Sequence, residues 1–113
     1  MDKPPPPETA SVVSPESAAK LPRPPENLAT PILARHGVEI EYYAPRGTDN
    51  QRPHKRDEIY IVARGSGIFL SGGDRKRYSA GDTIFVPARS EHRFVDFSDD
   101  FATWVIFFGP DQP

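Results

Sequence analysis

Three side chains in this 113-residue sequence have the types and spacing to hold a metal ion. His54 stands four residues before Glu58 in "RPHKRDEIYIVARGSG", and His92 follows in "PARSEHRFVDF". Each histidine sits beside an apolar run of strand type and near a proline-bearing turn. Two imidazoles and one carboxylate on one side of an ion leave coordination positions open. That donor set suits Fe(II), Mn(II), Ni(II) or Zn(II) and does not choose among them. With iron, such a centre activates dioxygen, as in a dioxygenase. With zinc, nickel or manganese it polarises a carbonyl, the chemistry of isomerases and lyases. The competing reading makes Asp57 and Glu58 surface partners of Lys55 and Arg56. On the spacing of this stretch alone both readings stand. The third histidine, His36, precedes a glycine in "LARHGV" and reads as a turn residue.

The elements that must position these groups are short strands. "VEIEYYA" (38–44) alternates Val38, Ile40 and Tyr42 with Glu39 and Glu41, a half-buried strand of period two. "EIYIVAR" (58–64) is rich in β-branched residues and ends at Gly65. "GIFLSGGDRKRYSAGD" (67–82) reads as strand, turn, strand and turn. "TIFVP" (83–87), "HRFVDF" (92–97) and "FATWVIFFG" (101–109) complete the set. The last is apolar on both faces, which predicts a central strand or one lying under a partner. From residue 31 onward no segment carries a helical period. Many short strands at close spacing point to an all-β sandwich or barrel, and fewer than ~90 residues suit a small closed jelly roll. On strand alternation Tyr60 shares a face with Glu58, and Phe94 shares one with His92. Tyr60 and Phe94 are therefore the expected pocket aromatics.

Residues 1–30 differ in kind. They hold 8 of the chain's 14 prolines and none of its aromatic residues. The expectation is an extended arm (1–30) before a barrel domain (31–113), with polyproline-II character at 4–7. At most one short helix fits in it: Ser14 caps, Pro15 takes the first helical position, and "ESAAKL" runs to Pro22. Composition narrows the function classes. There is no cysteine, so disulfides, thiolate metal sites and cysteine nucleophiles are excluded, which fits a cytoplasmic protein. Net charge is −2, the basic residues are scattered among acids, and no recognition helix is visible; nucleic acid is not an expected partner. Nothing approaches the ~18 apolar residues of a membrane-spanning helix, and the first ten residues do not read as a secretory signal.

With these residues in view, the chain resembles the cupins, small double-stranded β-helix (jelly-roll) barrels that carry two short motifs. The first reads G, five residues, H-X-H, three or four residues, E, six residues, G. Here His54, Glu58 and Gly65 fall in register. The second reads G, five residues, P-X-G, two residues, H, three residues, N. Here Gly81, Pro87 and His92 fall in register, with Asp96 in the asparagine place. The resemblance covers roughly residues 38 to 108. It implies a cupin barrel with one divalent metal held by His54, Glu58 and His92. It also implies a small-molecule ligand or substrate and a homodimer, with Trp104, Ile106 and Phe108 on the joining face.

Three departures matter. The first motif histidine is Arg52, and a guanidinium has no lone pair to give a metal. Gly47 stands one residue nearer the motif than the pattern expects. The glycine after Pro87 is Arg89. Water, substrate, Gln51 or Asp57 are the candidates for the fourth place: Gln51 neighbours the lost position, and Asp57 binds if the strand begins one residue earlier. Arg52 itself would face a carboxylate or phosphate of an anionic metabolite if it turned toward the ion.

Overall fold

The computed structural model describes residues 9–113. The polyproline-II segment expected at 4–7 lies outside the described residues. One short helix and eight strands follow in order: α1 (Pro15–Ala19), β1 (Thr30–Arg35), β2 (Val38–Tyr43), β3 (Asp57–Arg64), β4 (Ser66–Ser71), β5 (Asp74–Ser79), β6 (Thr83–Val86), β7 (His92–Val95) and β8 (Ala102–Phe108). They form two antiparallel sheets, one of five strands in the order β1-β2-β8-β3-β6 and one of three in the order β5-β4-β7. The two sheets make a small all-β barrel, as the resemblance implies.

Alternation does most of the sorting. Along β3, Glu58, Tyr60 and Val62 are buried while Ile59 and Ile61 face outward. Residues two apart in a strand share a face, so the inward set is fixed once one member is. The inward side chains of both sheets meet in one core of Tyr60, Val62, Phe69, Tyr78, Val86, Phe94, Phe101 and Val105. Each apolar side chain fully buried there is worth roughly 1.5–3 kcal/mol. β8 lies between β2 and β3, which explains its apolar residues on both faces.

Two turns show why glycine is required. Gly72 and Gly73 join β4 to β5 with φ of 56° and 87°, the paired positive values of a tight two-residue hairpin turn. Gly65, at φ 80°, has Phe101 Cα where a Cβ would lie 2.8 Å away, so no larger residue fits without moving backbone.

The arm packs onto the barrel. Ser14 caps α1 through a reciprocal capping box with Ser17, and Pro15 opens the helix. The helix ends at Ala19, short of the run to Leu21 that the sequence suggested. Ala18 is fully buried against Tyr42 and Ala102, and Val13, Ile32, Ala63 and Trp104 pack around them. Trp104, expected on a joining face between subunits, is thus covered by the chain's own arm. β1 is a strand that alternation did not reveal. It carries Pro31 on the edge of the sheet, beside a register shift between Pro31 and Leu33. Among the described residues, no helix is long and apolar enough to cross a membrane.

Candidate metal centre

The three candidate ligands come from three elements and both sheets. Glu58 is the second residue of β3, in the five-stranded sheet, where its Cα partners are Phe107 and Val86. His92 opens β7 in the three-stranded sheet, opposite Ser71. His54 stands in the loop before β3. Ligand atoms of His54, Glu58 and His92 all lie within 4.8 Å of one another. Two backbone contacts hold the arrangement. Arg89 N–H donates to the His54 carbonyl at 2.6 Å, and Ala88 N–H donates to Asp57 Oδ1 at 2.9 Å. The loop that precedes β7 is thereby tied to the loop that precedes β3.

Glu58 is the diagnostic residue. It is 1% exposed, and neither carboxylate oxygen accepts a hydrogen bond from the described residues. Oε1 stands 3.1 Å from His92 Nε2, an ion pair when that imidazole is protonated. Burying a carboxylate costs several kcal/mol unless a cation or a set of donors compensates. A divalent ion held by Glu58 and the two imidazoles would supply that compensation, so the residues fit a metal.

The protonation pattern is set by neighbours. His92 Nδ1 faces the Ser90 carbonyl oxygen at 2.9 Å. A carbonyl only accepts, so Nδ1 carries a proton, and Nε2 faces Glu58, free to act as a ligand atom once it is unprotonated. Burial lowers the pKa of His92, but the contacts with Glu58 and the Ser90 carbonyl outweigh it and the net direction is up. His54 moves down, because burial outweighs the attraction of Glu58. Tyr60 Oη lies 2.9 Å from His92 Nε2 and donates to Gln51 Oε1 at 2.8 Å. Burial first, then the charge of Glu58, holds the Tyr60 hydroxyl well above its ordinary range.

The remaining expected residues are distributed as follows. Gln51 is buried at the centre's edge, its amide between Tyr60 and Asp49. Asp57 is outside the cluster, engaged by Ala88. The surface-pair reading of Glu58 does not hold either: Arg56 bonds to Glu39 at 2.8 Å and to the Gly109 carbonyl at 2.9 Å. Arg52 is exposed and lines a groove of about 710 Å³ with Arg75 and Arg93, a groove that Gln51 and His92 also line. Phe94 is 1% exposed and packs in the core against Tyr60, Phe69, Tyr78 and Phe101. Among the aromatics beside the centre is Phe107, whose ring meets that of His54 edge-on at 4.9 Å. Both line a cavity of about 270 Å³ with Gln51, Tyr43, Glu41 and the arm residue Asn27.

Asp49 is the residue that sequence reasoning missed. It is 1% exposed and accepts from Tyr43 Oη at 2.5 Å, Gln51 Nε2 at 2.7 Å, Gln51 N–H at 3.1 Å and Phe94 N–H at 2.9 Å. In the sequence it is one polar letter in a loop, and its burial comes from a contact 45 residues away.

Comparison with known proteins agrees with this architecture. Residues 39–108 match the Cupin domain family, so the chain belongs to the cupins. An uncharacterised protein of Streptomyces coelicolor is 34% identical over 83 residues, which span 72% of this chain and 79% of that protein. The transcriptional activator RhaS of Yersinia pestis is 35% identical over 74 residues, 66% of this chain. That match takes in only 27% of RhaS, so the chain spans about a quarter of its length. A crystal structure of a Cupin 2 conserved barrel domain protein from Salinispora arenicola superposes with a TM-score of 0.66 at 23% identity, covering 89% of this chain and 91% of that one.

Proposed function

We propose that this cupin binds one divalent metal ion through His54, Glu58 and His92 and uses it to hold or transform a small metabolite. The observation that carries this reading is the Glu58 carboxylate, buried between two imidazoles with no hydrogen bond to either oxygen. A divalent ion there would polarise a bound oxygen, or, if redox-active, support dioxygen chemistry. The chain's own residues supply the rest. Asn27 offers an amide to a ligand in the 270 Å³ cavity, and Val105 and Phe107 offer an apolar wall. Glu58 and the His92 side chain are almost fully enclosed, so a ligand approaches from the half-buried His54 side.

A second reading is a ligand-sensing module without turnover. The likeness to part of a transcriptional activator favours it. Substrate loss or oxygen uptake against a metabolite panel, measured on metal-loaded protein, separates the two. Turnover abolished by His54→Ala and His92→Ala supports the enzyme; ligand binding without turnover supports the sensor.

We also propose a homodimer. Beyond the area covered by the arm, the outer face of the five-stranded sheet presents Ile59, Ile61, Phe85 and Ile106 side by side. Phe85 is 58% exposed and Ile61 38%. Contiguous exposed apolar residues on a sheet face are the usual mark of a protein contact.

A further inference from the structure

We propose that Arg89 is a positioning residue of the metal centre: together with the backbone of Gln112 it braces the loop that carries His54. The proposal rests on the metal reading above and gives a role to the side chain that stands in the place of the motif glycine.

His54 is the ligand that needs a brace. Glu58 and His92 lie on β3 and β7, where pairing with neighbouring strands sets their positions. His54 lies outside the strands, in the stretch before β3. A group on a strand is held more closely than one on a loop, and a loop that is ordered only when the ion arrives weakens binding by the entropy it then loses.

Three segments close a ring of hydrogen bonds beside this ligand. The Arg89 N–H donates to the His54 carbonyl oxygen at 2.6 Å, and the Gln112 N–H donates to the Lys55 carbonyl oxygen, also at 2.6 Å. The guanidinium of Arg89 completes the ring, since Nη2 and Nε donate to the Gln112 carbonyl oxygen at 3.0 and 3.1 Å. Each segment therefore bonds to both of the others. The tail is tethered again at Gly109, whose carbonyl oxygen accepts from Arg56 Nε at 2.9 Å. The Arg56 guanidinium in turn reaches Glu39 at 2.8 Å and the Gly37 carbonyl oxygen. Two successive carbonyls, of His54 and Lys55, are thus fixed by the turn before β7 and by the tail.

Within the ring, Arg89 alone acts through its side chain. A glycine at 89 keeps the N–H bond to His54 and loses the guanidinium contacts. The tail is then released from the turn, and its hold on Lys55 weakens with it. Hydrogen bonds from a charged donor are stronger than neutral ones, so this fork is the contact whose loss matters most.

The test measures zinc affinity by competition with a chelating dye, and thermal melting in excess chelator, on the full chain. Arg89→Gly and Arg89→Ala should both bind zinc about fivefold more weakly than wild type, the scale of a lost hydrogen bond from a charged donor. The glycine variant, relieved of strain at φ 69°, should melt higher than the alanine variant and still bind zinc no better. Gln112→Pro removes the N–H and should also weaken binding about fivefold. Gln112→Ala keeps both backbone contacts and should match wild type within about twofold. Both positions are exposed, so these variants keep the core intact. Wild-type affinity in Arg89→Ala or in Gln112→Pro overturns the proposal and leaves the metal reading standing. A Gln112→Ala protein as weak as Gln112→Pro overturns it too. Affinity that follows melting temperature across the Arg89 variants would mark a merely structural role and also overturns it. Failure of the wild type to take up zinc, iron, manganese or nickel overturns both.

Discussion

The backbone N–H of Arg89 donates to the carbonyl oxygen of His54 at 2.6 Å, joining the loop that carries His54 to the turn that leads to His92. Arg89 stands where the cupin motif has a glycine, and it adopts a glycine-like conformation with φ of 69°. Its guanidinium is anchored on the Gln112 carbonyl oxygen at 3.0 and 3.1 Å. The turn survives the substitution because side-chain contacts offset backbone strain.

That strain can be measured. A side chain in the left-handed region costs roughly 1–2 kcal/mol. Arg89→Ala loses the anchor and keeps the strain, whereas Arg89→Gly loses both. The glycine variant should be more stable than the alanine variant by about 1 kcal/mol, or roughly 4–8 °C in Tm. Equal melting temperatures would show that the turn is unstrained.

Glu58→Gln separates binding from folding. The change keeps the shape and removes the buried charge. Metal affinity should fall at least about tenfold, read by competition with a chelating dye. In excess chelator the variant should be as stable as wild type or more stable by about 1 kcal/mol, since a buried charge is gone. A variant less stable than wild type in chelator would mean that the carboxylate supports the fold without metal.

Arg52→Ala should leave metal affinity unchanged within about twofold, because its side chain is exposed whereas Glu58 and His92 are buried. Arg52→His should give no gain for the same reason. A clear gain in affinity with histidine would show that position 52 turns inward.

The dimer reading is checked by sedimentation. Wild type should sediment as a dimer and Phe85→Lys as a monomer with an unchanged circular dichroism spectrum, since a lysine on an apolar contact is left desolvated and unpaired. A monomeric wild type contradicts it.

Much of this architecture is legible in the letters. Glu58, Tyr60 and Val62 announce an inward face by alternation, and the resemblance carried by His54 to Gly65 and by Gly81 to His92 implies that the two motifs meet on one barrel. Depth is not legible. Phe94 shares the face of His92, as alternation says, but lies one step further into the core, where rings close around it. Period two reports the side of a sheet and not the distance from its rim. β1 escaped because Pro31 breaks the pattern of "TPILAR", a residue tolerated there because the strand is an edge. Asp49 escaped because only the folded barrel brings Phe94 N–H and Tyr43 Oη to it.

The central claim is that Glu58 is buried to face a metal. Its most direct test is elemental analysis of protein purified without chelator, repeated after adding iron, manganese, nickel and zinc in turn and removing excess. The account expects about one ion per chain, lost in His54→Ala and in His92→Ala. Metal near zero in the wild type under every condition, or full metal content in both alanine variants, would contradict it.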